Sequence, residues 1–218
     1  MAIPAHPKIY HIVHEDKLAS IAGGGRLLCH ATVTGTGVGG TNIGMNAIKQ
    51  RRLTLQLASH PGLAVGSCVP FYFCPRSIML FLIYRANHPE LAYRGGQGPI
   101  VHLEADLHAV VNWARKSGAR WAFTLSNAGA RYFEDRSDLA CLGEIDWQSV
   151  QANQWSGPGV ASSVKESKQA EFLLEAFFPW ELVDRIGVRS LDIAQRVANT
   201  LRHSAHRPPI EIKPDWYY

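Results

Sequence analysis

The sequence predicts a single α+β domain. Strand-like and helix-like segments alternate along it, no low-complexity linker divides it, and Lys168 to Trp180 (KQAEFLLEAFFPW) has the period-two pattern of a half-buried strand. In that stretch Ala170, Phe172, Leu174 and Ala176 share one face, and Gln169, Glu171, Leu173 and Glu175 share the other. Glu171 and Gln169 therefore point the same way. A carboxylate beside an amide, on a strand whose opposite face is anchored in a core, is a rigid place for charge-stabilising chemistry. The same residues also describe an edge strand with a solvated polar face.

The chain of 218 residues is long enough for one substantial core, and residues 1–218 read as one domain. Its 46% hydrophobic and 18% charged residues are ordinary for a globular protein. There is no run of 18 apolar residues, and MAIPAHPKIY at the start lacks a basic segment followed by an apolar one. A cytoplasmic protein without a membrane span is expected. Cys29, Cys68, Cys74 and Cys141 form no CxxC pair, which favours buried, reduced thiols over a disulfide or metal framework. The net charge of +4 conceals an asymmetry. Between Lys17 and Pro89 there is no Asp or Glu, while Lys17, Arg26, Lys49, Arg51, Arg52, Arg76 and Arg85 are all basic. That region is the candidate for meeting phosphates.

Taken in order, Lys8 to Val13 (KIYHIV) predicts a first strand and Glu15 to Ala22 a short helix stopped by Gly23, Gly24 and Gly25. Leu27 to His30 predicts a second strand, which places His11 near the start of a cleft. In TVTGTGVGGTNIG, residues 32–44, Gly35, Gly37 and Gly40 match GxGxxG. A dinucleotide-binding βαβ unit also needs an acid about 20 residues further on, and here there is none. The expectation is a loop bordering a cleft. With Thr41 or Asn42 as N-cap, Ile43 to Gln56 predicts a helix carrying Lys49, Arg51 and Arg52. Successive helical residues lie about 100° apart, so the two arginines have different jobs.

Val69 to Phe73 predicts a strand, followed by the apolar segment CPRSIMLFLIYR with Arg76 and Arg85 near its ends. After the turn RGGQGP come a strand (Ile100 to Glu104), a helix (Leu107 to Lys116) capped by Asp106 and stopped at Gly118, and a strand (Arg120 to Thr124). Residues 125–147 have little period and read as a functional or mobile loop. A helix from Trp147 to Gln154 and a loop through Pro158 lead into the stretch described first. Beyond it, a helical turn (Pro179 to Val183), a strand (Arg185 to Arg189), a helix (Leu191 to His203) and a strand (Ile210 to Ile212) precede the aromatic tail Trp216, Tyr217 and Tyr218.

Neither HxxH pair, His11 with His14 or His203 with His206, has a Cys or acidic partner in a metal pattern, so no metal site is expected. No GxSxG anchors a serine nucleophile. The blocks IYHIVHEDKLASI, IKQRR, VPFYFCPRSIML, GGQGPIVHL, WAFT, KQAEFLLEAFFPW and DWYY span nearly the whole chain. In their identity and order the sequence resembles the DarT family of DNA ADP-ribosyltransferase toxins.

That resemblance implies an ADP-ribosyltransferase fold, a split, mixed β-sheet with flanking helices that grips NAD+ in a cleft. It maps the catalytic carboxylate onto Glu171, with Gln169 two residues before it as in QxE motifs. It maps the contact to the nicotinamide end onto His11, the second essential residue onto Arg52, and the pocket lining onto Tyr72 and Met79. Cleaving the nicotinamide–ribose bond develops oxocarbenium-like charge, which a carboxylate at the 2′-hydroxyl would stabilise; preorganised groups of this kind contribute about 3 to 4 kcal/mol. Arg52 would hold the pyrophosphate or orient the acceptor base.

The implied acceptor is thymine N3 in single-stranded DNA. Its proton, with a pKa of roughly 10 like a phenol's, would pass to Glu171 while Arg52 stabilises the anion. Arg51, Arg76, Asn127, Arg131 and Tyr132 are the expected DNA contacts, and a DarG-type macrodomain antitoxin is the expected partner. Relatives with a histidine near the position of Asn127 keep guanine open as an alternative base. Transfer to RNA or protein, or a silent nucleic-acid-binding module, are the competing readings; intact Glu171, Arg52 and His11 speak against the last.

Overall fold

A computed structural model describes residues 3–36 and 40–218. The strands are β1 (Lys8–His14), β2 (Arg26–Leu28), β3 (Cys68–Tyr72), β4 (Ile100–Asp106), β5 (Trp121–Asn127), β6 (Asp135–Arg136), β7 (Ala170–Glu175), β8 (Phe177–Pro179), β9 (Arg185–Val188) and β10 (Ile210–Ile212). The helices are α1 (Leu18–Gly23), α2 (His30–Thr36), α3 (Asn46–Arg52), α4 (Ile78–Arg85), α5 (Leu107–Ser117), α6 (Trp147–Gln151), α7 (Ser162–Ser167) and α8 (Leu191–Leu201). Eight strands form one mixed sheet in the order β10-β9-β4-β1-β3-β7-β5-β6, and β2 pairs with β8 in a separate two-stranded sheet. Only β10 and β9 run parallel; the other named pairs are antiparallel.

The large sheet is split. β1 is laddered to β4 along its whole length, from Lys8↔Asp106 to His14↔Ile100, but meets β3 at one register pair, Tyr10↔Tyr72. Beside that pair the His11 ring occupies the gap, its Nδ1 2.7 Å from the Pro70 carbonyl oxygen. A carbonyl can only accept, so Nδ1 carries the proton and a side chain replaces a missing ladder bond. The two halves hold together because both present apolar faces to one core: Ile9, Val101 and Leu103 from one half, Phe71, Phe123 and Phe172 from the other. α5 covers this core with Leu107, Val110, Val111 and Ala114 at helical spacing; Asp106 accepts from Ala109 N at 3.0 Å, and Gly118 ends the helix at φ 72°.

Several expectations change in the folded chain. β7 is central, flanked by β3 and β5, so the edge-strand alternative does not hold. Its alternation stops at Glu175, because Ala176 takes a left-handed φ of 63° and redirects the chain into β8. Backbone bonds from Ala176 N to Ser67 O (2.8 Å) and from Cys29 N to Ala176 O (2.9 Å) over-determine that conformation. α3 is shorter than 43–56: Met45 is its N-cap, while the Asn42 amide is turned onto the Asn46 side chain at 2.7 Å. Residues 32–36, expected in a loop, belong to α2, and Gly37 of the GxGxxG match lies outside the described residues.

Residues 125–147 are more ordered than their lack of period suggests. They contain the end of β5, β6 and a 3-10 helix at Leu139–Glu144. Asp135 fixes this segment by accepting from Ala58 N at 2.8 Å and Ser59 N at 2.9 Å. The helix α7 has the polar sequence SSVKES and no side-chain cap, so nothing in its composition marked it.

His102 is fully buried and bonded through Nε2 to Pro75 O at 3.0 Å. Burial pushes both His102 and His11 down to about 4, the backbone bond opposing in each case. Between that value and the ordinary 6.5 the unfolded chain takes up protons that the folded one refuses. Stability is therefore full above the ordinary value and falls as the pH drops through this window, by at most about 1.4 kcal/mol per pH unit for each ring. Thermal melts at pH 7 and pH 5 should show the lower transition at pH 5; equal transitions would contradict the neutral state of these rings.

Candidate active site

Where the sheet halves part, a cleft of about 510 Å³ opens, within the usual size range of small-molecule and cofactor sites. β1 and β3 form its floor, α3 and α4 border it, and the segment from Thr41 to Met45 runs along it. Among the described lining residues Glu171 is the one carboxylate, and Lys17, Arg26, Lys49 and Arg52 line the same cleft.

Glu171 is 4% exposed and lies opposite Tyr72 on β3. On its other side the β5–β7 register shifts between Phe123 and Asn127. There Thr124 Oγ1 accepts from Glu171 N at 3.0 Å and donates to Ser126 O at 2.6 Å. The hydroxyl fixes the backbone of the catalytic candidate where the regular ladder fails, and the irregularity brings Asn127 to the cleft. The carboxylate itself is gripped by Arg52, Nη1 to Oε1 at 3.1 Å and Nη2 to Oε2 at 2.7 Å. This two-pronged bond sets the plane of the carboxylate as well as its position. Burial works against the Arg52 charge, but the Glu171 carboxylate more than offsets it and raises the guanidinium above its ordinary value.

Arg52 reaches this point because α3 sits directly on Gly66. A Cβ there would fall 2.9 Å from Leu53 N and 3.0 Å from the Arg52 carbonyl carbon. Ile48, Lys49 and Arg52 line the cleft from α3, whereas Arg51 is exposed and does not. The separation of the two arginines expected from helix geometry is what the fold displays.

The structure brings His11, Tyr72, Met79, Gln169 and Asn127 to the same cleft. Asn127 Nδ2 donates to Gln169 Oε1 at 3.1 Å, Gly129 N donates to Asn127 Oδ1 at 2.7 Å, and Gln169 Nε2 donates to Lys165 O at 3.0 Å. Both amides are thereby oriented, with N–H groups left over. Arg131 and Tyr132 lie outside the cleft lining, Tyr132 82% exposed with the Arg131 guanidinium 5.6 Å from its ring. Arg76 is turned away: its guanidinium stacks on Tyr218 at 4.4 Å and it does not line the cleft.

Lys17, Lys49, His30 and the apolar pair Ile43 and Met45 also line the cleft. The acid-free region contained them, but neither spacing nor motif distinguished the lysines from solvated ones. Among the described residues no three His, Cys, Asp or Glu side chains gather as a metal-binding group.

The Arg52–Glu171 pair makes a testable energetic statement. Removing one partner of a buried ion pair leaves the other uncompensated and typically costs about 3 to 5 kcal/mol. Arg52→Ala and Glu171→Ala should each lower stability, and the double variant should lose less than the sum of the two. Urea denaturation of the four proteins measures this; additive losses would mean that the pair is not coupled.

A family model described as ssDNA thymidine ADP-ribosyltransferase, DarT, matches residues 10–218. A DNA ADP-ribosyl transferase of Thermus sp. (strain 2.9) is 37% identical over 220 residues, covering 99% of this chain and 98% of that protein. Thermus sp. 2.9 DarT in complex with ADP-ribosylated ssDNA has the same fold, with a TM-score of 0.89 at 34% identity over 100% of this chain and 99% of that one. The same Thermus protein in complex with NAD+ matches with a TM-score of 0.84 at 34% identity over 100% of both chains. With this fold, this cleft and a match over almost its entire length, the chain belongs to the DarT family of single-stranded DNA thymidine ADP-ribosyltransferases.

Proposed function

We propose that the cleft binds NAD+ and delivers its ADP-ribose to N3 of a thymine in single-stranded DNA, with Glu171 as the catalytic carboxylate. The observation that carries these roles is the buried, two-pronged Arg52–Glu171 contact in a cleft with no other lining carboxylate among the described residues. The bond from ribose C1′ to the nicotinamide nitrogen breaks, and its electron pair leaves with neutral nicotinamide. Positive charge grows on the ribose, and Glu171, aligned beforehand, stabilises it through the 2′-hydroxyl. Thymine N3 then bonds to C1′ and its proton passes to Glu171. Arg52 holds the carboxylate in place and stabilises the negative charge that develops on the base.

His11 suits the nicotinamide end. Its Nδ1–H is spent on Pro70, so Nε2 of the neutral ring is an acceptor for a carboxamide N–H. Tyr72 and Met79 supply apolar lining beside it, and the free N–H groups of Asn127 and Gln169 match the carbonyl oxygens of a thymine. Arg51, Arg131, Tyr132 and Arg76, outside the cleft, are the DNA contacts of this reading, Arg76 with its guanidinium stacked on Tyr218. Residues 1–218 act as one ADP-ribosyltransferase domain, a view supported by the large sheet's drawing strands from both ends of the chain. A DarG-type macrodomain antitoxin and a cytoplasmic setting complete the proposal. A toxin that marks DNA needs NAD+, accessible DNA and a counterpart that strips the mark. Among the described residues no helix is long and apolar enough to cross a membrane.

Label from NAD+ should enter single-stranded DNA and be poorly accepted by duplex, whose bases are stacked and paired. Glu171→Gln, which keeps an oxygen for Arg52, should still bind NAD+ but transfer at least about 100-fold more slowly. Arg51→Ala, which removes an exposed DNA contact and nothing from the cleft, should retain most activity at saturating oligonucleotide. Labelled RNA or protein in place of DNA, or full activity in Glu171→Gln, would refute the assignment; mass spectrometry of the modified oligonucleotide names the base.

A further inference from the structure

If the cleft takes NAD+, it must neutralise a diphosphate carrying two negative charges, and in the ligand-free chain the charge of Arg52 is already met by Glu171. Both of its terminal nitrogens are bonded to Glu171. Resting on the proposed function, we infer that Lys17 and Lys49 form the diphosphate grip, held in place by the glycine-bearing strap from Gly40 to Gly44.

The two lysines come from different elements, Lys17 from the 3-10 turn Glu15–Lys17 that follows β1 and Lys49 from α3, and they converge on one part of the cleft. Each is close enough to depress the titration of His11 and His30, and Lys17 does the same to Lys49. Neither forms an ion pair among the described residues. The neighbouring Asp16 carboxylate attracts Lys17, but burial outweighs it and still lowers the ammonium; the Asp16 oxygens are taken up by Thr41 N at 3.0 Å and Thr41 Oγ1 at 2.6 Å, with His14 Nδ1 3.0 Å away. His30 stands within the influence of both lysines and Arg52, and its Nε2 is buried without a hydrogen-bond partner among the described residues. The folded chain thus carries a cluster of unpaired cations and an unsatisfied imidazole at one place in the cleft. An incoming anion would satisfy all of them.

The strap explains how the lysines are aimed. A Cβ on Gly40 would fall 2.7 Å from Lys17 Cγ, and a Cβ on Gly44 would fall 2.6 Å from Lys49 Cε. Gly40 also has a φ of 113°, which a residue with a side chain rarely adopts. Thr41 pins the strap to Asp16, and Asn42 Oδ1 accepts from Lys49 Nζ. Gly40 therefore makes room for the Lys17 stem and Gly44 lies against the end of the Lys49 side chain, a role unrelated to a GxGxxG phosphate loop. Burial and the neighbouring Lys17 charge push Lys49 down to about 8, the mark of an ammonium still waiting for its counter-charge.

The same two cations could instead serve a backbone phosphate of the DNA, so the test separates the two sources. Lys17→Gln, Lys49→Gln, the double variant, Lys17→Arg/Lys49→Arg and the surface control Lys116→Ala are compared with the unmodified full chain. Steady-state transfer is measured with NAD+ and oligonucleotide varied separately, and ADP binding is measured by calorimetry. A lost charge-assisted contact is worth about tenfold in affinity. Each Gln variant should raise the KM for NAD+ and the Kd for ADP about tenfold, and the double variant about 100-fold. The kcat and the KM for oligonucleotide should stay within about twofold, the Arg variant should recover most of the loss, and ligand-free melting temperatures should hold or rise as like charges are removed. An unchanged NAD+ KM in the double variant, a rise in the oligonucleotide KM instead, or ligand-free melting below the unmodified chain overturns the inference. In each of those cases the unmodified chain still labels DNA, so the function stands. A chain that binds no NAD+ at all removes both.

Discussion

The arrangement of this protein turns on one buried ion pair, Arg52 with Glu171. A carboxylate 4% exposed on a central strand is costly unless its charge is met, and the two-pronged guanidinium meets it. Other features of the fold follow as conditions for that contact. Gly66 lacks a side chain so that α3 can sit down on it and bring Arg52 within reach. Thr124 bonds to Glu171 N where the β5–β7 ladder shifts, so the strand keeps its place despite the irregularity. An ion pair of this kind adds little net stability, because desolvation cancels most of the attraction. Its value is orientation: the carboxylate plane is fixed before any ligand arrives.

The split between β1 and β3 supplies the space. In a continuous sheet the backbone groups of these strands would pair with each other and leave no room for a dinucleotide. Here they meet only at Tyr10↔Tyr72, and the His11 ring stands where another ladder bond would be. The halves are kept together by the apolar core shared on one face, so the opening costs hydrogen bonds at one place without loosening the rest. Burial holds His11 neutral, which is the form that can accept a hydrogen bond.

Much of this was legible in the residues, and the exceptions have physical causes. The alternation of 170–175 fixed which face Glu171 points to, and helix geometry separated Arg52 from Arg51, since both depend on local backbone periods. Whether β7 is central or at an edge depends on which strands pair with it, and that is a long-range fact. Ala176 broke the alternation because two distant backbone groups, Ser67 O and Cys29 N, hold it in a left-handed conformation that alanine does not favour on its own. The start of α3 was misplaced because Gly44 and Asn42 serve the cleft and Lys49 rather than a helix cap. Arg76 looked like a free cation in an acid-free region, but Tyr218, more than a hundred residues away in sequence, occupies it. The chemistry itself was visible only as a resemblance, since a strand glutamate and a helix arginine fit many proteins.

The most direct measurement is a crystal structure of this chain with a non-cleavable NAD+ analogue bound. The nicotinamide ribose should lie with its 2′-hydroxyl within hydrogen-bond distance of a Glu171 carboxylate oxygen, while Arg52 still holds the other side of that carboxylate. A bound analogue whose ribose sits far from Glu171, or whose binding draws Arg52 off the carboxylate, would contradict the role given to the pair.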